Sequence, residues 1–567
     1  MNKQEKLKKI AIGVEDFKEI IDKDGYFVDK TLMIKKLIES RAKVTLFTRP
    51  RRFGKTLNQF MIRRFFEDEI TEEGEEVDNG YLFDGLAITE CGEEILSHQQ
   101  QYPVIFLTLK SAKQPTYEMA YACLVDEICK EFERHSYVLQ GEMSQRNREI
   151  FERISLGKGS DDEYATAFAF LSECLFKYHK KKAIILIDEY DVPLENAYFR
   201  GFYDEMIDFI RSLFESALKT NPYLEKSVIT GCLRISKESI FTGLNNLETD
   251  SVLHTRFGDS FGFTQEEVEG LLAYYDLSEQ LEEVKKWYDG YLFNDFEIYN
   301  PWSILKYVND RKDHVTEFAL PYWSNTSSNS IVREMVGEAD EMAKADLETL
   351  MAGGTIEKQV HEDITYGDIH QTQDNLWNFL FFTGYLKKVG ERTVGNNLWL
   401  EMKIPNIEIA TIYENSISYW FEQKIKATDR SPLVRALETG DCEAAEDFIN
   451  RQLADTISYY DYAETFYHGF MAGLLVNIGG YRVKSNRESG NGRPDIVMTE
   501  SKFRGRAMIL ELKISDTIQG MEKKCEEALT QMKEQKYESS LEDDGYQPIL
   551  KYAICFFKKG CMVKKAE

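Results

Sequence analysis

The sequence lacks several features that would mark a specialised class of protein. Its 567 residues include no apolar run that approaches the roughly 18 residues of a membrane helix. The basic N-terminus leads into no apolar signal segment, and the nine cysteines include no Cys-x-x-Cys pair and no histidines at zinc spacing. We therefore expect a soluble cytoplasmic protein with reduced thiols and no membrane partner.

Positive charge is also scarce. The chain has 70 Lys and Arg against 97 Asp and Glu, a formal net charge of -27. This balance argues against nonspecific nucleic-acid binding by the whole chain, because such binding neutralises phosphates with Lys and Arg. The stretch from Tyr481 to Glu567 differs, with 17 basic and 14 acidic residues. This difference in charge between the tail and the rest of the chain is compatible with one module that binds a polyanion.

Apolar residues are plentiful, at 43% of the chain, and a chain of this length predicts about two to four domains. The first half alternates short apolar runs with helical patterns, which predicts a parallel sheet covered by helices. The runs are continuously apolar, as expected of strands that are buried on both faces. The four runs are Lys43–Phe47, Tyr102–Leu109, Ala183–Ile187 and Ser227–Gly231.

The first run leads to a Gly-Lys-Thr motif, Gly54 to Thr56, which precedes a helical pattern. In this context the N–H groups of a helix N-terminus face an anion, Lys55 would reach nucleotide phosphates, and the Thr56 hydroxyl would ligate Mg²⁺. Arg49 stands where the general phosphate-loop pattern has its first glycine. Taken alone, the motif could instead be a basic turn capped by a glycine.

The third run ends in a pair of carboxylates, Asp188 and Glu189. Asp188 would hold Mg²⁺ through its water shell, and Glu189 would polarise the attacking water. An acidic loop after a strand is the alternative interpretation. Because ligands gather at the carboxyl ends of strands in such sheets, the two motifs together predict a site for ATP and Mg²⁺.

Five segments of the first half resemble the bacterial AAA-ATPase-like family, whose members often carry a C-terminal PD-(D/E)XK nuclease-like domain. The segments are Ile12–Phe17, Tyr26–Thr31, Thr48–Thr56, Ile187–Pro193 and Thr230–Asn246. The family loop has the same Arg-Pro-Arg-Arg-Phe-Gly-Lys form, so Arg49 does not depart from the family. The resemblance also implies that Arg234 is a sensor of the γ-phosphate, with a surface ion pair as the alternative.

Two further arginines of the loop, Arg51 and Arg52, are candidates for phosphate contact. Such an arginine can act within its own chain or from a neighbouring subunit, so the oligomeric state stays open and includes a homo-oligomer. The loop thus brings extra positive charge to the phosphates, and the sequence leaves open which of Arg49, Arg51 and Arg52 faces the nucleotide and which holds the loop in place.

Helices and turns are predicted after the nucleotide domain. Thr264 followed by Glu267 predicts a capping box that opens a helix. The resemblance implies a small helical or winged-helix domain here, and its acidic composition favours a lid over DNA binding. Helical periodicity from about Tyr322 to Ala463 predicts a connecting helical region, in which no group of catalytic or ligand-binding residues is recognised. The predicted domains are residues 1–250 (ATPase), 251–325 (lid), 326–440 (helical connector) and 441–567 (nuclease-like).

The tail contains Pro494-Asp495 and, sixteen residues after this aspartate, Glu511-Leu512-Lys513. Alternation along a strand places Glu511 and Lys513 on one face, and a hairpin would bring Asp495 beside them. Two carboxylates can hold Mg²⁺, while a lysine stabilises charge on the attacking water or the scissile phosphate. This is the PD-(D/E)XK pattern. The alternative is a solvated strand face preceded by a turn.

Other residues of the tail fit the nuclease-like family. Glu464 on an upstream helix could supply a further carboxylate, and Gln531 and Tyr537 lie on a downstream helix. His468 is interpreted as structural. The resemblance covers about the last hundred residues and implies a restriction-endonuclease-like α/β domain. Its activity stays open, because many nuclease folds have lost catalysis.

The whole chain is therefore predicted to be an α/β protein with a P-loop parallel sheet and a nuclease-like tail. In the leading hypothesis, ATP binding and hydrolysis control a Mg²⁺-dependent domain that acts on DNA or RNA. The alternative is an ATP-dependent switch or scaffold whose inactive tail binds protein or nucleic acid, which the net negative charge favours. A metabolic phosphotransferase fits less well, because no substrate signature accompanies the nucleotide site.

Overall fold

The chain forms two compact units in a computed structural model. Unit 1 comprises Met1–Ser327 and Thr355–Thr411, and unit 2 comprises Ser328–Gly354 and Ile412–Glu567. The structure describes residues 7–234, 240–241, 246–316, 318–323, 330–362, 373–454, 464–476, 478–485, 494–502 and 504–566. Within these ranges, no helix combines the length and the apolar character of a membrane span.

The first seven strands belong to unit 1, and five of them form a parallel sheet. The strands are β1 (Val44–Thr48), β2 (Glu69–Ile70), β3 (Glu76–Val77), β4 (Val104–Thr108), β5 (Ala183–Asp188), β6 (Leu224–Gly231) and β7 (Leu247–Asp250). The parallel sheet has the order β4-β5-β6-β1-β7, while β2 and β3 form a hairpin. The four strands predicted from apolar runs are confirmed, and β1 and β5 are buried along their whole length.

Ten helices precede the lid in unit 1 within the described residues. They are α1 (Phe17–Asp22), α2 (Leu32–Glu39), α3 (Lys55–Phe66), α4 (Glu93–Leu96), α5 (Tyr117–Arg134), α6 (Gln145–Ser155), α7 (Asp161–Ala165), α8 (Ala167–His179), α9 (Val192–Arg200) and α10 (Tyr203–Phe214). Buried residues recur at helical spacing, as Leu124, Ile128 and Phe132 do on α5. A short 3₁₀ turn, Lys110–Ala112, follows β4. The sheet and its helices thus confirm the expected α/β architecture.

The lid region combines helices with a small antiparallel sheet. Its elements are β8 (Phe263–Thr264), α11 (Gln265–Tyr274), α12 (Leu281–Tyr288), β9 (Tyr291–Phe293), β10 (Phe296–Tyr299) and α13 (Pro301–Lys312). The strand order is β8-β10-β9. The capping box is confirmed, because the Glu267 N–H donates to the Thr264 hydroxyl and the Thr264 N–H donates to the Glu267 carboxylate at 2.8 Å. The role of this region as a lid stays a prediction.

The region expected to be a helical connector also contains strands. Its elements are α14 (Ser330–Glu338), α15 (Glu341–Met351), β11 (Ile356–Val360), α16 (Gln373–Phe382), β12 (Lys387–Val394), β13 (Asn397–Lys403) and α17 (Ile407–Ala427). The strands form an antiparallel sheet in the order β11-β13-β12. A bulge between Lys388 and Gly390 interrupts the two-residue period, which hides β12 in the sequence. The division into four domains stays a prediction.

Unit 2 contains a five-stranded mixed sheet between two layers of helices. Its elements from Ser431 onward are α18 (Ser431–Thr439), α19 (Cys442–Ala454), α20 (Glu464–Leu475), β14 (Tyr481–Ser485), β15 (Ile496–Glu500), β16 (Ala507–Ile514), α21 (Met521–Glu534), α22 (Ser539–Asp543), β17 (Ile549–Phe557) and β18 (Gly560–Lys565). The strands are in chain order, and only β16 and β17 are parallel neighbours. The expected C-terminal α/β domain is confirmed.

The two faces of β16 contact different layers of unit 2. Leu510 and Leu512 belong to the apolar core that includes α18, α19 and α20. Ile509 belongs to the opposite core, with Cys525 and Met532 of α21. Because side chains alternate along a strand, Glu511 shares the α21 face with Ile509.

Candidate functional site

The loop between β1 and α3 contains the Gly-Lys-Thr motif at the N-terminus of the helix. Gly54 has φ 83°, a left-handed conformation in which a side chain would be strained, and it caps the N-terminus of α3. The Lys55 ammonium is buried and donates to the carbonyl oxygens of Arg49 and Pro50, each at 3.0 Å. Lys55 is therefore held inside the loop, beside the N–H groups of the first helical turn.

The electrostatic surroundings of Lys55 keep it charged. Burial disfavours the ammonium, but the nearby carboxylates of Glu189, Asp191 and Asp188 favour it, and the pKa of Lys55 is raised. The Cys232 sulfur lies 3.6 Å from Nζ, and burial raises the pKa of this thiol to about 12. The loop thus contains a permanent cation, as phosphate binding requires.

Thr56 and Asp188 meet at the carboxyl end of the parallel sheet. The Thr56 hydroxyl donates to Asp188 Oδ2 at 2.8 Å, and the Thr230 hydroxyl donates to Oδ1 at 2.7 Å. Asp188 is fully buried, and burial followed by the charge of Glu189 raises its pKa. A hydroxyl and a carboxylate side by side are the oxygen ligands that Mg²⁺ prefers, so the residues present fit this ion.

Glu189 and Arg234 follow β5 and β6 at the same edge of the sheet. Glu189 has φ 54°, and its backbone N–H lies 3.5 Å from the Thr230 hydroxyl. Arg234 is partly exposed and lies 3.9 Å from the carboxylate of Glu362, which belongs to the same unit. The roles of Glu189 toward water and of Arg234 toward the γ-phosphate stay predictions.

Arg49 is buried within the protein. Its guanidinium forms an ion pair with Asp250 of β7 at 2.5 Å and donates to the carbonyl oxygens of Thr48 and Asp250 at 3.0 and 2.7 Å. The rings of Phe261 and Phe293 lie 5.0 and 5.4 Å from the guanidinium carbon. With 0% of its surface exposed, Arg49 fixes the loop to β7. A contact of Arg49 with the nucleotide stays a prediction.

Arg51 and Arg52 remain at the surface of the loop. Arg51 forms an ion pair with Glu195 of α9, and 27% of its side chain is exposed. Arg52 lies over the ring of Trp302, with its guanidinium carbon 4.3 Å from the ring centroid. Burial and the neighbouring Arg51 lower the pKa of Arg52, although Glu189 counteracts them. These two arginines stay candidates for phosphate contact.

Two residues at this edge were missed by the sequence analysis. The Lys110 ammonium donates to the Thr56 hydroxyl at 2.9 Å. Asp191 accepts the N–H groups of Cys232 and Leu233 at 2.7 and 3.0 Å, and burial raises its pKa to about 6. Asp191 was detectable, because it closes the Asp-Glu-Tyr-Asp run, whereas Lys110 is a lone lysine after a predicted strand and belongs to no motif.

A second candidate site lies on the mixed sheet of unit 2. Asp495 Oδ2 accepts the Leu512 N–H at 2.8 Å. Glu511 Oε1 accepts hydrogen bonds from Lys513 Nζ at 3.2 Å and from Gln531 Nε2 at 2.6 Å. The structure therefore brings Asp495, Glu511, Lys513 and Gln531 together.

The second oxygen of Glu511 indicates what this site could bind. Oε2 is buried and has no hydrogen-bond partner among the described residues. Burial, followed by the charge of Asp495, raises the pKa of Glu511 to about 7. An unsatisfied buried oxygen costs about 1–3 kcal/mol, which a cation would offset, so the pair of carboxylates fits Mg²⁺. In the described ranges, no group of three or more His, Cys, Asp and Glu residues is placed to hold a metal ion.

Three further residues of the tail were singled out in the sequence as neighbours of this second site. Glu464 begins α20, but its side chain lies outside the described residues. His468 Nε2 is 3.3 Å from the backbone oxygen of Asp495, and Gln531 donates to the Tyr537 hydroxyl at 3.0 Å. Two interpretations stay predictions: that His468 is structural, and that Glu464 supplies a further carboxylate to the site.

The fold and the two sites define a class of protein, an ATPase-like sheet domain followed by a nuclease-like domain. Residues 11–241 match the family model described as a predicted AAA-ATPase, and residues 462–566 match that of the PD-(D/E)XK nuclease superfamily. The chain therefore contains an AAA-ATPase-like domain and a PD-(D/E)XK nuclease-like domain, which confirms the resemblance found in the sequence.

A similar protein is known from Azotobacter chroococcum mcd 1. It is described as an uncharacterized protein in the vnfD 5' region and is 24% identical to this chain over 550 residues. The matched region covers 94% of this chain and 93% of the relative, so the similarity extends over both units.

Proposed function

We propose that unit 1 binds and hydrolyses ATP, and that its nucleotide state controls a Mg²⁺-dependent nuclease activity of unit 2. The observation that carries the proposal is the hydrogen bond of 2.8 Å between the Thr56 hydroxyl and Asp188, next to the buried Lys55. One edge of the parallel sheet then provides everything that the proposal needs. The N–H groups at the start of α3 and the Lys55 ammonium would bind phosphate, and the oxygens of Thr56 and Asp188 would bind the metal.

Each residue of unit 1 has a defined task in this proposal. The N–H groups of the first turn of α3 and the Lys55 ammonium bind the phosphates, while Thr56 and Asp188 hold Mg²⁺. Magnesium supplies a positive charge that stabilises the charge developing on the phosphates. Glu189 orients the attacking water. Arg234, with Arg51 or Arg52, would stabilise the transferred phosphoryl group.

In unit 2, Asp495 and Glu511 are the metal ligands of the proposal. Lys513 would stabilise the charge on the attacking water or the scissile phosphate of DNA or RNA, and Gln531 orients Glu511 through their hydrogen bond. The support is the unpaired buried oxygen of Glu511 beside a lysine. The basic surplus after Tyr481 favours a nucleic-acid substrate.

The proposed coupling requires that ATP bind two conformations of the protein with different affinities. The helix α17 begins in unit 1 and continues in unit 2, so it forms a covalent connection for such a change. In a homo-oligomer, Arg51 or Arg52 would reach the nucleotide of a neighbouring subunit. We also propose that the protein acts in the cytoplasm, in agreement with its nine free cysteines.

Substitution of Lys55 tests the nucleotide site. Lys55→Ala should lower ATP affinity by about 10- to 150-fold, the effect of losing a charged hydrogen bond of roughly 1.5–3 kcal/mol, and abolish hydrolysis. Binding is measured by calorimetric titration with ATP and Mg²⁺, and turnover by phosphate release. Lys43→Ala, at an exposed lysine just before β1, is the control and should behave as the wild type. Unchanged ATP binding by Lys55→Ala would contradict the site assignment.

Cleavage assays test unit 2. The full-length protein is incubated with plasmid, single-stranded DNA and RNA, with Mg²⁺ or Mn²⁺, and with or without ATP. We expect cleavage that Glu511→Ala and Lys513→Ala abolish. Lys523→Ala, an exposed lysine on α21, is the control that should keep activity.

The alternative function is an ATP-dependent switch or scaffold with an inactive tail that binds protein or nucleic acid. The net charge of -27 favours it, because the chain as a whole repels polyanions. If the wild type binds ATP but cleaves none of the three substrates with either metal, this alternative replaces the nuclease proposal.

A further inference from the structure

Lys110 is a cation placed at the proposed magnesium ligands. Its ammonium lies 2.9 Å from the Thr56 hydroxyl and 3.7 Å from Asp188 Oδ2. These are the two oxygen groups assigned to Mg²⁺. On the other side, Nζ donates to Glu15 Oε1 at 2.8 Å. The ammonium therefore touches two separate carboxylates, one inside the sheet edge and one on the N-terminal segment.

The two carboxylates differ in their surroundings. Asp188 is fully buried, whereas 58% of the Glu15 side chain is exposed. Lys110 is one of the charges that stabilise ionised Asp188, since it counteracts the effects of burial and of Glu189 on the Asp188 pKa. A buried carboxylate needs such a partner, because an uncompensated charge there is costly. Water can instead hydrate Glu15.

A magnesium ion and the Lys110 ammonium cannot share these oxygens without repulsion. Two cations a few ångströms apart repel strongly where water is largely excluded, as it is around Asp188. The Thr56 hydroxyl also has a limited number of lone pairs, and it accepts a hydrogen bond from Lys110 while it donates to Asp188. Binding of one cation should therefore weaken binding of the other.

We propose that Lys110 competes with Mg²⁺ at Thr56 and Asp188, so that the metal binds well only when it arrives with ATP. The lysine then moves away from Thr56 while its contact with Glu15 keeps it at the edge of the site. Triphosphate charge compensates the repulsion between the two cations. Lys110 thereby makes the ATPase site selective for the metal–nucleotide complex over the free metal. This inference rests on the proposed ATP site.

Metal binding without nucleotide tests the competition. The probe is Mn²⁺, counted by electron paramagnetic resonance on the full-length protein. All variants carry Glu511→Gln so that the site in unit 2 contributes less to the signal. In the absence of ATP, Lys110→Met should bind Mn²⁺ about 5- to 150-fold more tightly than the protein with Lys110, the usual range of coupling between two sites. Lys110→Arg keeps the positive charge of the side chain and should bind Mn²⁺ no more tightly than the protein with Lys110.

Two further variants separate competition from a general loosening of the site. Adding Asp188→Asn to Lys110→Met should remove the gained Mn²⁺ site. Glu15→Gln should lower the affinity for Mn²⁺, the opposite of the effect of Lys110→Met. It weakens the contact of the lysine with residue 15, so the ammonium stays more firmly at Thr56. Circular dichroism confirms that each variant is folded.

The outcomes distinguish this inference from the proposed function. If the protein with Lys110 binds ATP with Mg²⁺ but Lys110→Met gains no Mn²⁺ affinity, the competition is overturned and the ATP site stands. If the same protein binds no ATP, the proposed function itself fails. A gain of Mn²⁺ affinity that survives Asp188→Asn would also overturn the inference, because the metal would then bind elsewhere.

Discussion

At the scale of single residues, Arg49 shows how a buried ion pair can hold a loop in place. The sequence suggests a third phosphate-binding arginine, because Arg49 lies in a basic run before Gly54. In the structure its guanidinium is directed to Asp250, which lies some two hundred residues later in the chain. No local pattern predicts such a partner, since the pairing depends on β7 lying beside β1.

Removal of Arg49 should destabilise unit 1. Arg49→Ala leaves the buried Asp250 without its partner, which costs about 3–5 kcal/mol of unfolding free energy. Urea unfolding, followed by circular dichroism, measures this loss. The double variant Arg49→Met/Asp250→Asn removes both charges and should lose less stability than Arg49→Ala alone. An Arg49→Ala protein of normal stability that fails to bind ATP would instead support a phosphate contact.

At the scale of elements, the strands that carry the first site were predictable, and their neighbours were less so. Largely apolar runs revealed β1 and β5, because strands buried on both faces do not alternate between apolar and polar residues. By contrast β7 is the tetrapeptide Leu247–Asp250 with polar residues at three positions, and it is a strand only because β1 pairs with it. The candidate carboxylates were found because they end apolar strands, whereas Lys110 was missed because a lone lysine after a strand has no motif.

The first turn of α17 contains a buried acid that should make unit 1 sensitive to pH. Glu408 is fully buried, accepts the Ser303 hydroxyl at 2.8 Å and the Trp323 N–H at 2.7 Å, and burial raises its pKa to about 7. The folded protein therefore keeps this proton at pH values where the unfolded chain, with an ordinary pKa of 4.5, has lost it. Stability from this group decreases as pH rises from the unfolded pKa to about 7, by up to about 1.4 kcal/mol per pH unit.

Glu408→Gln should flatten this dependence. The amide cannot ionise, yet its oxygen can still accept the Trp323 N–H. Urea midpoints measured between pH 5 and pH 8 should fall less with pH for the variant than for the wild type, and the variant should be the more stable protein at pH 8. Parallel curves for the two proteins would contradict a raised pKa of Glu408.

At the scale of the whole molecule, two units with separate cores should respond to different ligands. A ligand that binds only the folded state stabilises by about 2.7 kcal/mol at a hundredfold excess over its dissociation constant. ATP with a low concentration of Mg²⁺ should therefore raise the melting temperature of unit 1 and leave that of unit 2 nearly unchanged in calorimetry. Lys55→Ala should abolish the shift. A single transition that ATP shifts as a whole would show that the units unfold together.

The chain crosses between the units more than once, which bears on its biosynthesis. Unit 1 is completed only by Thr355–Thr411, and the segment Ser328–Gly354 of unit 2 precedes that completion. During translation, a ribosome must therefore release more than four hundred residues before the ATPase-like unit has all its parts. Meanwhile, Ser328–Gly354 emerges well ahead of the sheet of its own unit. A gene truncated after the lid at residue 325 would thus encode an incomplete unit 1.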